Sequence, residues 1–544
     1  MSSAPERAGY HTSEDEKLLH RLGYAQELFR AMGGFQNFAI SFTIISILAG
    51  ALTSYALGFE HGGPVVIIWG WLIVGLFSTL IALSMAEIAS AYPTAGGLYY
   101  WSSKLGGPGW GWATGWFNLI GQIAVTAAIG YGLATFAQVL LNYWFDYTAH
   151  MDDWFGATSN ASLYILYALF LLVACLVNVF DIRITAGLNT ISAYWHMAGV
   201  AVIVLILIVV PDNHQSFSYV FSETVNNSGF GGASDNFSNP LFWFVFGLGL
   251  LLSQYTITGF DASAHVAEET HKASRMAAVG MYMSVVASVV FGWILLLAVT
   301  FALPSTKFAI DLGLDIGYMV PFGWAEAMSQ NWAEILLFIC VVAQFFCLTA
   351  STTSASRMMF AFSRDRAVPG HQYWRRVSRH RVPAYAVFAI GFFAAVLMIP
   401  AVWNYFVGYA VGTAIAVIGL YIAFVIPVYL RYRMGDRFVP GAWSLGKHYR
   451  WIDPLSVGWV ALITILFIFP LYDVGLPWRD DFAWEFTNYT ILWFAAIGLV
   501  FGGWWFLSAK NWFKGPVRMG TEEELERLEE EQRKQFELPT KTPA

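Results

Sequence analysis

Hydrophobic residues occur along this chain in long runs that short polar segments separate. Twelve of these runs contain about the 20 residues that a helix needs to cross a bilayer. We number them as predicted spans one to twelve, at residues 35–59, 64–89, 109–141, 161–180, 190–211, 241–267, 276–303, 331–362, 383–402, 405–430, 454–472 and 489–508. Of the 544 residues, 57% are hydrophobic and only 12% are charged, so composition also favours an all-α integral membrane protein.

The basic residues predict how the chain is oriented in the membrane. Of the 29 lysines and arginines, 27 lie on the side of the two termini, and only Lys307 and Arg479 lie on the other side. Because lysine and arginine concentrate in cytosolic loops, both termini are predicted to be cytosolic. Residues 1–34 then form a cytosolic N-terminal segment, and residues 509–544 form a cytosolic tail. The pattern Thr521-Glu-Glu-Glu524 in that tail predicts the start of a short helix.

Span six is interrupted where a membrane helix should be continuous. Its centre reads Gln254-Tyr-Thr-Ile-Thr-Gly-Phe-Asp261, with glycine, two threonines and an aspartate at mid-span. Unpaired backbone in hydrocarbon costs several kcal/mol, so a break is tolerated only where it lines a cavity walled by protein. A carboxylate at that depth is by default a candidate functional group.

Span one carries a second interruption, Ile45-Ser-Ile-Leu-Ala-Gly-Ala-Leu-Thr-Ser54. Small and hydroxyl residues at mid-span are also typical of contacts between packed helices, and this alternative stays open for span one taken alone. Spans one and six lie five spans apart and therefore cross in opposite directions. Paired interruptions of this kind indicate the binding site of a transporter built from inverted repeats.

Several motifs resemble the amino acid–polyamine–organocation superfamily, most closely its amino acid/choline branch, which includes fungal GABA and choline permeases. The resemblance covers about residues 20–508. Its motifs read Leu22-Gly-Tyr-Ala-Gln-Glu-Leu28, Gly34-Phe-Gln-Asn-Phe-Ala-Ile-Ser41, Ala86-Glu-Ile-Ala-Ser-Ala-Tyr-Pro-Thr-Ala-Gly-Gly-Leu-Tyr-Tyr-Trp101, Gly259-Phe-Asp-Ala-Ser-Ala-His-Val-Ala-Glu-Glu-Thr270 and Ser356-Arg-Met-Met-Phe-Ala-Phe-Ser-Arg-Asp365.

The resemblance implies a leucine-transporter-type fold for a transporter domain at residues 35–508. In that fold two five-span repeats, here residues 35–211 and 241–430, are inverted relative to each other, and spans 454–508 are peripheral. The substrate lies between the unwound parts of spans one and six. Many members have Gly-Ser-Gly in span one, where this chain offers Ala49-Gly50-Ala51 or, two residues earlier, Ile47-Leu48-Ala49.

The two breaks suit the two ends of a zwitterion. The helix that restarts near Ala49, Gly50 and Ala51 would present its N-terminus, which favours a carboxylate. The helix that ends near Tyr255, Thr256 and Thr258 would present free carbonyl groups, which favour an ammonium.

Gly259 permits the backbone of span six to leave helical geometry. Three other residues at this break have more than one interpretation. Tyr255 and Phe260 are candidates for an aromatic lid or a cation–π face, or are packing residues. Asp261 is an acceptor for the substrate amine, a protonatable group of the transport cycle, or an N-cap of the helix that begins there.

His196 in span five is the candidate coupling residue. In proton-coupled relatives a lysine at the matching place lies behind span one, and histidine titrates near neutral pH. The alternative is a neutral histidine bonded to a backbone carbonyl. Sodium coupling is a further alternative, in which hydroxyl groups of span eight help to bind a sodium ion. The structural alternative for these hydroxyls is a hydrogen bond to their own helix. Those hydroxyls belong to Thr349, Ser351, Thr352 and Ser354.

Motifs of enzymes and nucleotide-binding proteins are absent from the sequence. It contains no P-loop, no zinc-type spacing and no dinucleotide fingerprint, so we expect no enzyme, no cofactor, no metal and no nucleic-acid partner. Glu87, Glu268 and Glu269 lie near the cytosolic ends of spans and are interpreted as structural or gate-closing.

The predicted function is import of a small amino acid or amine, such as GABA, across the plasma membrane by proton symport. Its partners are then the solute, protons and the lipid bilayer. The alternatives are transport of choline or a polyamine, exchange of one solute for another, and a nutrient sensor that does not transport.

Overall fold

The computed structural model describes residues 13–180, 182–231, 237–312 and 317–536. In these ranges the regular secondary structure is helical, and the strand-like pairs are two isolated bridges, Met32 with Thr270 and His61 with Asn226. The all-α prediction is confirmed for this part of the chain. The first twelve residues of the predicted N-terminal segment, and residues 537–544 of the predicted tail, lie outside the described residues.

Nine helices in the described ranges are long and apolar enough to cross a membrane. They lie at predicted spans one to five, seven, eight, ten and twelve. Their bounds are Gly34–Thr53, Val66–Ala91, Pro108–Phe145, Ser159–Phe180, Gly187–Val209, Ala273–Phe301, Gln330–Arg364, Gly408–Arg437 and Thr490–Trp512.

Shorter helices lie at the three other predicted spans. Span six is the apolar segment Pro240–Thr256, which ends at the predicted break. Span nine is Ala384–Leu397, followed by a 3₁₀ turn that contains Pro400, a residue that does not continue a helix. Span eleven is Tyr449–Leu466, of 18 residues.

Burial separates the central helices from the peripheral ones. The most hydrophobic stretch of Pro108–Phe145 in span three is 94% buried, whereas that of Thr490–Trp512 in span twelve is 11% buried. An apolar membrane helix is either surrounded by other helices or exposed to lipid, and its buried fraction distinguishes the two cases. Span three therefore forms part of the wall around spans one and six, and span twelve lies at the edge.

The N-terminal segment and the C-terminal tail contact each other. The helix Glu14–Leu22 contacts the tail helix Glu522–Phe536 through a hydrogen bond of 2.8 Å between His20 Nε2 and Glu529 Oε1. Asp15 accepts hydrogen bonds from the amides of Lys272 and Ala273, at the start of span seven. The N-terminal segment thus connects the tail to the end of the loop that follows span six.

Candidate functional site

Span one is unwound at residues 46–49. The helix Gly34–Ile45 ends at Ser46, whose φ of 31° is left-handed, and helix resumes at Gly50–Thr53. Ile47-Leu48-Ala49, the earlier of the two predicted registers, lies inside the break. Ala49, Gly50 and Ala51 form the start of the resumed helix, which is interrupted again at Ser54.

Span six is unwound between Thr256 and Ala262. The helix Leu251–Thr256 ends, Gly259 adopts a φ of 81°, and a short helix Ala262–His265 follows. Glycine has no Cβ and therefore adopts this left-handed conformation without steric cost. A Cβ atom on Gly259 would also lie 2.2 Å from Cγ2 of Ile44, so the glycine lets this break contact span one.

Hydroxyl groups of neighbouring spans form hydrogen bonds with some of the carbonyl groups at the break in span six. The Ser41 hydroxyl of span one donates to the carbonyl of Phe260 at 2.9 Å. The Tyr421 hydroxyl of span ten donates to the carbonyl of Ile257. These two carbonyls are therefore engaged, and the remaining polar groups of the break are the candidates for binding a solute.

Two oxygen atoms at this break are buried without a partner among the described residues. They are Thr258 Oγ1 and Asp261 Oδ1, in residues that are 3% and 0% exposed. A buried polar atom left unpaired costs about 1–3 kcal/mol, so such a pair needs an explanation. The neighbouring Thr256 hydroxyl, by contrast, donates to the Leu252 carbonyl of its own helix at 2.8 Å.

Asp261 makes side-chain contacts that differ from those of an N-cap. Its carboxylate makes no capping bond to the helix Ala262–His265. Instead Oδ2 accepts from Gln122 Nε2 at 2.8 Å and from Asn118 Nδ2 at 3.3 Å, both in span three, and lies 3.2 Å from His265 Nε2. The sequence interpretation missed these three partners. The only available signals were polar residues inside span three and a histidine four positions after the aspartate.

The aromatic residues of the break pack against span ten. The Tyr255 ring lies 6.4 Å from that of Tyr409, and the Phe260 ring lies 4.9 Å from that of Phe424. Tyr409 also donates from its hydroxyl to Thr53 Oγ1 at 2.7 Å. All four rings are buried, so they close the space around the two breaks.

His196 reaches the break in span one. Its Nε2 lies 2.7 Å from Ser46 Oγ, at the residue where span one unwinds, and its Nδ1 lies 2.9 Å from the Ser192 carbonyl. Because a carbonyl only accepts, Nδ1 carries a hydrogen and Nε2 faces the serine hydroxyl. The predicted coupling residue therefore has both the backbone bond of the structural alternative and a direct contact with the break.

The hydroxyls of span eight are mostly engaged. Thr349 and Thr352 donate to the Phe345 and Leu348 carbonyls of their own helix at 2.9 and 2.8 Å, as the structural alternative expects. Ser351 Oγ lies 2.8 Å from the Thr126 hydroxyl, and Ser354 Oγ is buried without a partner in the described ranges. Within those ranges no group of three or more His, Cys, Asp or Glu residues is arranged to hold a metal.

The acidic residues at the end of span six are paired with arginines of span eight. Glu268 accepts from Arg364 at 2.9 and 3.1 Å, and Glu269 accepts from Arg357 at 2.9 Å. Glu87 in span two likewise accepts from Arg431 at 2.8 Å. Removing one partner of a buried ion pair leaves an uncompensated charge, so these pairs hold the ends of the spans together.

Known proteins of similar sequence cover nearly the whole chain. The family described as Amino acid permease matches residues 32–500. The chain is 36% identical to "Amino-acid permease BAT1 homolog" of Oryza sativa over 95% of this chain and 98% of the relative. It is also 36% identical to "Amino-acid permease BAT1" of Arabidopsis thaliana, over 92% and 95%. The identity to "GABA-specific permease" of Saccharomyces cerevisiae is 28%, over 92% and 86%.

Three observations agree on the kind of protein: the membrane-length helices, the contact between two helix breaks, and the match to the family across residues 32–500. The chain belongs to the amino acid permease family and is a multi-pass membrane transporter of amino acids rather than an enzyme.

Proposed function

We propose that this protein is a secondary active importer of a small amino acid, GABA or one of similar size, coupled to protons. It works in the plasma membrane with both termini in the cytosol. Its twelve spans form two inverted five-span repeats of the leucine-transporter type and two peripheral spans. The resemblance of its motifs, the split of basic residues and the GABA-specific relative support this proposal.

The observation that carries the proposal is the pair of unpartnered oxygens where the breaks of spans one and six touch. Thr258 Oγ1 and Asp261 Oδ1 are both available to accept a hydrogen bond. An ammonium group has only donors, and a bond between a charged and a neutral group is stronger than one between two neutral groups. The substrate amine therefore binds at these two atoms.

Coupling is assigned to His196 because it contacts Ser46 at the point where span one unwinds. In neutral His196, Nε2 accepts a hydrogen bond from the serine hydroxyl. In the protonated form Nε2 donates, and the hydroxyl must turn to another acceptor. A proton thus changes the hydrogen bonding of the break and shifts the balance between two arrangements of span one.

Uptake into proteoliposomes of purified protein tests the proposal. The vesicles are offered radiolabelled GABA, the proteinogenic amino acids, choline and putrescine, with an inward proton gradient, in parallel assays without and with sodium. We expect at least one amino acid to accumulate and to leave when the gradient is collapsed.

The other outcomes identify the rival functions. Accumulation of choline or putrescine alone would show that the substrate is an organic amine and not an amino acid. Uptake only into vesicles preloaded with an amino acid would indicate exchange. Binding of an amino acid without filling of the vesicle would indicate a sensor, and strict dependence on sodium would remove proton coupling.

A further inference from the structure

His265 lies between two hydrogen-bond acceptors. Its Nδ1 is 3.1 Å from the Ala95 carbonyl, and its Nε2 is 3.2 Å from Asp261 Oδ2. The side chains of His265 and Asp261 are both 0% exposed. The carbonyl accepts only, so Nδ1 carries a hydrogen, and the contact at Nε2 then requires a second one. That hydrogen belongs either to an imidazolium or to a protonated carboxyl group.

Without the second hydrogen this contact would be repulsive. A lone pair of Nε2 would face a lone pair of the carboxylate, and the buried charge of Asp261 would be compensated only by the amides of Gln122 and Asn118. Burying a charge that is not paired is costly. His196 differs, because the Ser46 hydroxyl is able to supply the hydrogen to its Nε2 and the contact is complete in neutral histidine.

We propose that Asp261 and His265 hold one exchangeable proton between them, and that this proton links the substrate site to the ion-paired end of span six. The inference rests on the proposed function, since it adds a second proton-binding site to that of His196. One site lies at each of the two breaks.

The titratable groups that face Asp261 and His265 already have hydrogen-bond or ion-pair partners, so the exchangeable proton is assigned to this pair. In span ten, the Tyr421 hydroxyl donates a hydrogen bond to the Ile257 carbonyl. Two carboxylates at the end of span six already form ion pairs with arginines of span eight. Glu268 pairs with Arg364, and Glu269 pairs with Arg357.

The groups that spans one and three present to the pair are uncharged, and Arg30 of the N-terminal segment donates to the carbonyls of Ala267 and Thr270. Span one presents Asn37 and Ser41, and span three presents Asn118 and Gln122. Tyr99, in the helix Gly97–Gly106 that follows the loop, donates to Asp365. The basic residues of span seven, Lys272 and Arg275, lie at or before its first turn.

Ala95 provides the connection from this proton to the ion pairs. Its carbonyl accepts from His265, and its amide donates to Glu268 Oε1 at 3.0 Å. When the shared proton leaves, His265 has one hydrogen for two acceptors and must release either Asp261 or Ala95. Either release weakens the contact between the substrate site and the loop after span two, whose Ala95 amide bonds to Glu268.

The substrate amine and the proton meet on the same carboxyl group. Oδ2 of Asp261 is occupied by His265, Gln122 and Asn118, whereas Oδ1 has no partner among the described residues. An ammonium at Oδ1 favours the ionised carboxylate and therefore transfers the shared proton towards His265. Substrate affinity should then depend on whether the pair holds its proton.

The test compares His265→Gln, Asp261→Asn and the double variant with the wild type. Glutamine and asparagine keep hydrogen-bonding groups but do not titrate. The matched control is His20→Gln, which removes a buried histidine–carboxylate contact of 2.8 Å between the terminal segments, away from the breaks. Counterflow of the amino acid that accumulates best in the uptake screen is measured between about pH 5 and 9.

We expect the apparent affinity of the wild type to change by up to about tenfold per pH unit in the titrating range. Each single variant should lose this dependence within the pH range in which the wild type titrates, and the double variant should match the singles there, because one proton is shared. His20→Gln should keep the wild-type profile. A wild-type profile in His265→Gln overturns the proposal, as does additivity of the two single changes.

Infrared difference spectra between acidic and alkaline buffer give a second readout that needs no substrate. The wild type should show a titrating band of Asp261 that disappears in Asp261→Asn and changes its midpoint in His265→Gln or, if that variant does not fold, in His265→Asn. Identical spectra in wild type and Asp261→Asn overturn the proposal. A wild type that shows the band but no proton-driven uptake would overturn the proposed coupling and leave the proton site standing.

Discussion

Gly50 of span one lies directly against Thr256 of span six. A Cβ atom on Gly50 would be 2.8 Å from Thr256 Oγ1 and 3.0 Å from Thr256 Cα. Real Cβ atoms do not come as close as 2.8 Å to another heavy atom, and glycine is the residue that permits such contact. The two breaks that the sequence places more than 200 residues apart are therefore in contact.

Replacing Gly50 by valine should abolish substrate binding while the protein still inserts into the membrane. The added side chain would force the resumed helix of span one away from Thr256 and change the space between the breaks. Gly458→Val is the control, since a Cβ atom there has no neighbour within 4 Å. Binding of the transported amino acid by both purified variants, at equal yield, is the measurement, and wild-type affinity in Gly50→Val would move the site elsewhere.

The threonines of span six provide a matched pair for testing the ammonium site. Thr258→Val removes a hydroxyl that has no partner among the described residues, whereas Thr256→Val removes one that bonds to its own helix. A hydrogen bond to a charged group contributes about 1.5–3 kcal/mol, so Thr258→Val should raise KM by roughly 10- to 100-fold. Thr256→Val should change KM much less, and equal effects of the two changes would contradict the assignment.

His196→Ala should lose accumulation driven by an inward proton gradient. The alanine has no titratable group to bond Ser46, so span one no longer responds to a proton. His214→Ala is the control, because His214 lies beyond the end of span five, where its Nε2 bonds to the Leu207 carbonyl. Full gradient-driven accumulation in His196→Ala, measured in proteoliposomes, would remove this histidine from the coupling mechanism.

Glu60 should make the native protein less stable as pH rises. This residue follows the last helix of span one, is fully buried and accepts a hydrogen bond from the Tyr472 hydroxyl. Burial raises the pKa of Glu60 from 4.5 to about 7, against the smaller opposing effect of the Tyr472 bond.

The sign follows from the proton that the native state retains. Above pH 4.5 the unfolded chain loses this proton while the folded protein keeps it until about pH 7. The contribution to stability is therefore complete at low pH and is lost across this window, by up to about 1.4 kcal/mol per pH unit. We expect Tm in detergent to fall less between about pH 5 and 8 in Glu60→Gln than in the wild type. Equal falls would show that Glu60 does not titrate in this window.

Local sequence patterns were sufficient for the nine membrane-length helices of the described ranges and for one of the two breaks. Run length predicted those nine helices, whereas shorter helices lie at predicted spans six, nine and eleven. Gly259 with Asp261 marked the interruption of span six because neither suits the middle of a membrane helix. The register of span one was open, since its unwound residues Ile47, Leu48 and Ala49 are apolar and small residues also occur at helix contacts.

Contacts between distant spans were beyond these patterns. Asn118 and Gln122 meet Asp261 across 143 and 139 residues, and nothing in the neighbourhood of either amide indicates this partner. The cap interpretation of Asp261 relied on local preference, whereas the carboxylate is in fact turned towards span three and His265. Tertiary packing decided the orientation of this side chain.

A cryo-electron-microscopy map of the purified protein with the best-transported amino acid is the most direct test of where the substrate binds. We expect its density between the breaks of spans one and six, with the ammonium about 3 Å from Thr258 Oγ1 and Asp261 Oδ1. Density for the amino acid at any other place, with these two oxygens bonded only to protein or water, would contradict the account.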